Sequence, residues 1–346
     1  MTNMWNEIME QPAVLEKCLL NNDDTLNKII SELKVKKPEF VIIAARGTSD
    51  HAAVYAKYMF ETLLGLPVVL AAPSVVTTYK RHLEMKNALV IGVSQSGAAQ
   101  DVAAILEEAN RNNVITVGIT NFEDSLLATT SKYTLLCSAG VEKSVAATKT
   151  FTTQLILMGM LAAKLAGDAE AQSFLKKVPE IVDKTIIATK DQIKNIAIRY
   201  RFIDECIVLA RGLNYAVALE SALKIKETTY VRANAYASSD FHHGPMAILQ
   251  KDIPVIVYAP SGPSLNDMRE MISLLKEAQA DVLVVSDNKE VCATGDCCIE
   301  IPDTGSDILS PFVNSVVAQM FACDLAEIKS LNPDAPRMLH KVTVTV

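Results

Sequence analysis

The chain has 346 residues, of which 50% are hydrophobic and 21% charged, and a formal net charge of −7. That is the balance of a globular protein with chain enough for two domains and for a core that needs no covalent staples. It leaves no basic footprint for nucleic acid, and the longest central apolar run, Leu155 to Ala163, stops at Lys164, well short of the ~20 residues that span a bilayer.

The N-terminus, Met1 to Glu10, is polar and mixed rather than basic and then apolar, so a cytoplasmic protein with no membrane partner is expected. Seven cysteines scattered through a long chain do not make a disulfide framework. Cys292, Cys297 and Cys298 lack the paired spacing and nearby histidine of a zinc site, and are expected as ordinary thiols around a strand with no metal.

Residues 1–36 read as an amphipathic helical segment ahead of the first strand, Phe40-Val41-Ile42-Ile43-Ala44. A helix follows over Asp50 to Leu63, then a strand over Leu89 to Val93, a helix over Ala98 to Asn110, and strands over Val114 to Ile119 and Tyr133 to Leu136. Long helices are expected over Lys149 to Leu165 and Ala169 to Arg199. The pattern then restarts with a strand over Ile207 to Ala210, a helix over Tyr215 to Thr228, and strands over Pro254 to Tyr258 and Val282 to Val285. Short apolar runs alternating with helical stretches predict an α/β fold with parallel sheets covered by helices on both faces.

Two matches at one offset of 165 residues argue that the unit is duplicated: Ala45-Arg46-Gly47 with Ala210-Arg211-Gly212, and Ser96-Gly97 with Ser261-Gly262. The expected organisation is a first α/β domain over 37–190, a second over 191–330, and a tail over 331–346 that two prolines, Pro333 and Pro336, release from any helix. From Arg337 the tail is expected to run extended to Val346 and to need a docking site.

Ligands of open parallel sheets bind at the carboxyl ends of strands. Two loops there carry hydroxyls and glycine ahead of a helix: Arg46-Gly47-Thr48-Ser49 and Ser94-Gln95-Ser96-Gly97. Hydroxyl donors, close backbone approach and helix N-terminal amides suit an anion, although serines there can also be plain N-caps. The corresponding second-half residues are Leu213-Asn214 and Ala259-Pro260, so one phosphate site per chain is expected. Glu220, Lys224 and Glu227 share one helix face, either as a solvated ion-pair network or as reactive groups. Phe241-His242-His243-Gly244-Pro245, which includes His243, is a polar cluster in an expected loop, where adjacent histidines are as often surface residues as catalytic ones; proton transfer would need only one imidazole.

The chain resembles the isomerase half of glucosamine-6-phosphate synthase, a pair of sugar-isomerase (SIS) domains of flavodoxin-like, doubly wound form. The resemblance rests on the two loops above, on Val145-Ala146-Ala147-Thr148-Lys149-Thr150-Phe151-Thr152-Thr153-Gln154-Leu155, on Ala218 to Glu227, on His243-Gly244-Pro245, and on Pro336-Arg337 with Lys341. It implies that Thr48, Ser49, Ser94, Gln95 and Ser96 hold a sugar 6-phosphate and that Val145 and Thr148 contact the substrate. It implies further that Glu227 moves a proton between C1 and C2 beside Lys224. His243 would open the ring from the partner subunit of a homodimer, and Lys341 would form a Schiff base with a keto sugar. No cofactor is implied.

The departures are Ala98-Ala99, where the family has an acid and a threonine, and Ala147 in place of a serine. The glutaminase half, with its N-terminal cysteine nucleophile, is expected to be absent. The resemblance thus points to an aminosugar-phosphate isomerase/deaminase. A ketosamine-6-phosphate deglycase is the alternative within enzymes, and a non-catalytic sugar-phosphate sensor the alternative outside them.

Overall fold

The computed structural model describes residues 1–339 together with Lys341. The valine- and threonine-rich end of the expected tail lies outside them. The described residues form two compact units. The first comprises Ala13–Glu142, Lys149–Lys176 and Lys341, and the second Met1–Pro12, Lys143–Thr148 and Lys177–Leu339.

The first unit is built on five parallel strands: β1 (Phe40–Ala44), β2 (Val68–Leu70), β3 (Ala88–Val93), β4 (Ile115–Thr120) and β5 (Tyr133–Leu136), in the order β2-β1-β3-β4-β5. The interior strands β3 and β4 are buried at every residue, as continuous apolar runs become when helices cover both faces. Val102, Ile105, Leu106 and Ala109 of the amphipathic Gln100–Arg111 helix pack on Ile42, Ala44 and Val90 of one face. Strand alternation turns Val41 and Ile43 to the other face, where the Thr48–Leu64 helix lies against the Lys149–Ala166 helix.

The second unit repeats this plan with β6 (Glu205–Ala210), β7 (Arg232–Ala237), β8 (Pro254–Tyr258), β9 (Asp281–Ser286) and β10 (Cys297–Glu300), in the order β7-β6-β8-β9-β10. All pairs are parallel. The order matches the first sheet position for position, and strand starts at 40, 68, 88, 115 and 133 recur at 205, 232, 254, 281 and 297. The duplication read from two short matches therefore extends to all five strands. Met268, Met271, Ile272 and Leu275 of the Leu265–Glu277 helix cover one face of the second sheet. The Tyr215–Thr229 helix packs on β6 and β7, the Ser310–Ile328 helix packs against it, and the Val178–Ala197 helix packs against the Ser310–Ile328 helix.

The structure departs from the expected elements in places with clear physical causes. The run expected over 169–199 is two helices, Ala169–Lys176 and Val178–Ala197. Pro179 cannot donate to the preceding turn but suits the first turn of a new helix. The helix after β3 begins at Gln100, two residues later than the periodicity suggests. The edge strands β2, β7 and β10 were not anticipated; β2 and β10 are only three and four residues long. Cys292 and Cys298 are not free thiols: they are joined in a disulfide, while Cys297 remains free. No helix among the described residues is long and apolar enough to cross a membrane.

Gly97 closes the loop after β3 at φ 65°. A Cβ there would lie 2.1 Å from Ser125 Oγ and 2.7 Å from Thr120 Oγ1. Both the left-handed backbone and the packing thus demand glycine. Gly97→Ala is expected to destabilise the protein by about 2–4 kcal/mol, seen as a lower denaturant midpoint with an unchanged slope; an unchanged midpoint would mean that the loop yields freely.

Candidate active site

β1 and β3 are hydrogen-bonded neighbours with Ala44 opposite Gly92, so the loops after them open on one edge of the sheet about 5 Å apart. Thr48 and Ser49 begin the Thr48–Leu64 helix, which has no side-chain N-cap. In the loop after β3, Ser94 Oγ accepts from the Gly97 N–H at 3.2 Å and Ser96 Oγ from the Ala98 N–H at 3.3 Å. The Gln95 carbonyl accepts from the Asn121 N–H at 3.1 Å. The Gln100–Arg111 helix also lacks a side-chain N-cap. Neither Ser49 nor Ser96 is therefore a side-chain cap, and both helices start at these loops; in the first, the Ser49 and Asp50 N–H groups donate to the Arg46 and Gly47 carbonyls at 3.1 and 2.9 Å. Arg46 Nε, 2.7 Å from the buried Asp101 carboxylate, ties the first loop to the first turn of the second helix.

Lys341 belongs to the same unit. Its Nζ donates to Glu142 Oε2 at 2.7 Å. Glu142 is buried and also accepts from the Thr150 N–H and Thr150 Oγ1, at 3.1 and 2.8 Å.

The second unit repeats the loops but not their chemistry. Asn214 is buried, donating to Ser310 Oγ and accepting from Asn314 Nδ2, each at 2.7 Å. The Ser261 N–H is bound by Asp287 Oδ1 at 2.6 Å, and a Cβ on Gly262 would lie 3.1 Å from Asp307 Oδ1. Two carboxylates at this loop make it hostile to phosphate.

Glu220, Lys224 and Glu227 lie on the Tyr215–Thr229 helix. Lys224 is fully buried, 2.6 Å from Glu227 Oε2 and 3.3 Å from Glu220 Oε1. Burial pulls the Lys224 ammonium pKa down, but the two carboxylates outweigh burial and hold it above the usual lysine value. Glu220 is buried, whereas the Glu227 side chain is 20% exposed. The face is thus a buried ion triad with one open carboxylate, not a solvated ion-pair network.

Val145 and Thr148 lie in the second unit, on the segment Lys143–Thr148. That segment is fixed by the Glu7 carboxylate, which accepts from the Lys143 and Ser144 N–H groups, and by Gln319 Nε2, which donates to the Thr148 carbonyl at 3.2 Å. His243 is exposed just after the Ser238–His242 helix. It follows the end of β7, while Glu227 precedes its start, so a strand roughly 20 Å long separates them within one chain.

The structure thus brings Thr48 and Ser49 to the edge that carries Ser94, Gln95 and Ser96. It pairs Lys224 with Glu227, and it leaves His243 away from Glu227 in the same chain. Glu142, Asp101 and Glu7 were not marked in the sequence. Their signal is weak: Asp101 and Glu142 lie near motifs but Glu7 near none, and Arg46, Thr150 and Lys143, which they engage, are at least eight residues away. No group of three or more histidine, cysteine or acidic residues among those described is placed to hold a metal.

Comparison with known proteins places this arrangement. The SIS domain model matches residues 34–164 and again residues 203–329. Glutamine–fructose-6-phosphate aminotransferase (isomerizing) of Pyrococcus horikoshii is 34% identical over 348 residues, covering 99% of this chain but 57% of that protein. The chain therefore spans somewhat over half the length of the curated relatives it matches. Its structure is similar to the C-terminal domain of glucosamine-fructose-6-phosphate aminotransferase from Francisella tularensis, with a TM-score of 0.88 and 27% identity over 97% of this chain and 98% of that one. It is also similar to glucosamine-6-phosphate deaminase from Thermotoga maritima, with a TM-score of 0.80 and 26% identity over 99% of this chain and 100% of that one. On this match the chain belongs to the SIS-domain family, and it carries two copies of the domain, one on each sheet.

Proposed function

We propose that this protein is a phosphosugar isomerase that deaminates an aminosugar 6-phosphate, converting glucosamine 6-phosphate and water to fructose 6-phosphate and ammonia. The observation that carries the reading is Glu227: a partly exposed carboxylate on a buried helix, oriented from within by the fully buried Lys224. The glucosamine-6-phosphate deaminase of Thermotoga maritima, matched along its whole length, supports the deaminase reading.

In this reading the phosphate is held by Thr48, Ser49, Ser94, Gln95 and Ser96, and Val145 and Thr148 contact the sugar. With the ring open, Glu227 removes the proton on C2; the C2–H electron pair becomes a C1=C2 double bond and the C1 oxygen takes a proton. Glu227 then returns its proton to C1, which leaves an imine at C2. Water adds at C2 and ammonia departs. Each proton step suits a positioned carboxylate, and Lys224 steadies the charge on Glu227 before it takes the proton and after it returns it. Lys341 is the amine for a Schiff base with an open-chain keto sugar, and Glu142, in contact with it, is placed to take its proton.

Glu227→Gln keeps the size and the hydrogen bond to Lys224 but cannot accept a proton. Turnover of glucosamine 6-phosphate, followed as released ammonia and fructose 6-phosphate, is expected to fall about 10²–10⁴-fold, with sugar-phosphate binding retained. Normal turnover would reduce Glu227 to a structural residue. Release of a free amine from a ketosamine 6-phosphate, without activity on glucosamine 6-phosphate, would replace the deaminase reading with a deglycase.

Because a β-strand separates His243 from Glu227, we propose that His243 serves the site of the partner in a two-fold homodimer. Refolding inactive Glu227→Gln chains with inactive His243→Ala chains gives about half mixed dimers, each with one intact site. About a quarter of wild-type activity should return by that counting. No recovery, with chain exchange confirmed by mass, would place His243 in its own chain's site.

A further inference from the structure

The Gln100–Arg111 helix packs one face on the first sheet. Its other face carries Gln100, Ala104, Glu108 and Arg111, spaced so that all four point the same way. The connection between β2 and β3 runs over that outer face and is held down near the end of the helix. Buried Glu108 accepts from His82 Nδ1 at 3.1 Å and from the Leu83 N–H at 3.4 Å. Asn112 accepts from the Met85 N–H at 3.1 Å and donates to the Leu83 carbonyl at 3.0 Å. Between helix and connection lies a cleft of about 510 Å³, a size that small-molecule ligands fill. Every residue that lines it belongs to the first unit.

The lining includes Lys80, Arg81, His82 and Arg111, a concentration of basic side chains in a chain whose net charge is −7. Glu108 offsets part of that charge and is already bonded to His82 and Arg111. Lys80 and Arg81 have no ion-pair partner among the described residues. Lys80 also sits in the left-handed region at φ 53°, a strained backbone for a lysine. The second unit uses the same place differently: its connection between β7 and β8 supplies Phe241, Met246 and Leu249, which pack into the same core as Met268 and Met271 of the Leu265–Glu277 helix. One copy of the repeat fills the space with apolar side chains, and the other leaves it open and lines it with cations. We propose that this cleft binds a phosphorylated small molecule, at a site separate from the strand-end loops. Arg81 and Arg111 offer guanidinium forks that match phosphoryl oxygens, with Lys80 and protonated His82 as further donors. A cleft lined by one sign of charge concentrates ligands of the other. Arg111 lies about 16 Å along the helix from Gln100, so the cleft leads away from the loop that precedes the helix. Its occupancy does not depend on whether the chain deaminates a sugar.

The test is titration calorimetry on the full-length protein at fixed ionic strength, with inorganic pyrophosphate, ADP and citrate as probes. The cleft variant is Lys80→Gly combined with Arg81→Ala. Glycine suits the left-handed backbone at position 80 and Arg81 is exposed, so the thermal midpoint without ligand should match that of the wild type. That separates loss of binding from loss of fold. Pyrophosphate and ADP are expected to bind the wild type, about tenfold more weakly in the cleft variant, and more weakly in all proteins as salt is raised. Tighter binding of ADP than of pyrophosphate would uphold a ligand with an organic part in the cleft, and equal binding would uphold the phosphoryl groups as all that is read. Ser96→Ala alters the strand-end loop and should leave the affinity of the cleft in place. Three results would overturn the proposal. One is no binding of either phosphoryl probe at millimolar concentration. Another is citrate binding as tightly as pyrophosphate, which would make the cleft a reader of charge alone. The third is binding lost in Ser96→Ala but kept in the cleft variant, which would assign the anion to the strand-end loop and so support the sugar-phosphate reading while removing this one.

Discussion

A lysine ammonium with no access to water sits at the centre of the second unit, and much of that unit's architecture follows from it. Moving such an ion out of water costs several kcal/mol even after relaxation, and it persists only with opposite charges in good geometry. Lys224 finds them one turn away on either side, at Glu220 and Glu227. The helix that bears them must then be closed off from solvent elsewhere. Thr228 Oγ1 reaches across to the Ala322 carbonyl at 3.2 Å, and Tyr258 Oη donates to Ser221 Oγ at 3.0 Å. Glu227 comes out of this with one carboxylate oxygen committed to Lys224 and the side chain still open to solvent. In the proposed reading of Glu227 as the base, an orientation set by a buried charge leaves little conformational freedom to lose when substrate arrives.

Duplication explains how one chain came to divide these tasks. The two sheets share strand order and spacing, so each presents loops at equivalent strand ends. In the first unit the loops keep hydroxyls and uncapped helix starts. In the second, the Asn214–Ser310–Asn314 network fills one loop from inside, and Asp287 and Asp307 stand at the other. The second copy has given its strand-end loops over to packing and its first long helix to the buried triad. A scaffold supplies positions and the side chains at those positions decide the chemistry.

Most of the fold was legible because parallel strands buried on both faces appear as uninterrupted apolar runs, and seven such runs were plain. Three of the four edge strands, β2, β7 and β10, were not; a three-residue strand such as Val68–Leu70 carries too little sequence to show a pattern. The Ser310–Ile328 helix hid for the opposite reason: almost every residue in it is buried, so it has no polar face from which to read a period of 3.6. The disulfide between Cys292 and Cys298 was read as two thiols because spacing alone does not reveal which side chains a tight turn brings together. Among the site residues, the hydroxyl loops and the Glu220, Lys224, Glu227 face could be found from strand-end position and helical spacing. Whether that face was wet or dry could not, because the helices that bury it come from distant parts of the chain. Glu142 was invisible, since its partner Lys341 is about 200 residues further along.

The two amines of the proposed chemistry are held in opposite ways, and the contrast follows from what each must do. Lys224 never leaves its carboxylates; its service is to stay put, and a fully desolvated triad gives the strongest available hold. An amine that bonds covalently to substrate and then releases it must instead exchange one partner for another. Lys341 has a hold of that kind: a carboxylate that is itself anchored by Thr150, and a side chain still 25% exposed. Contacts of this kind are individually modest, so the amine can depart from Glu142 for a carbonyl carbon without unfolding anything. In the proposed reading, charge burial fixes the base, and a partly exposed ion pair with Glu142 keeps the nucleophile ready to leave.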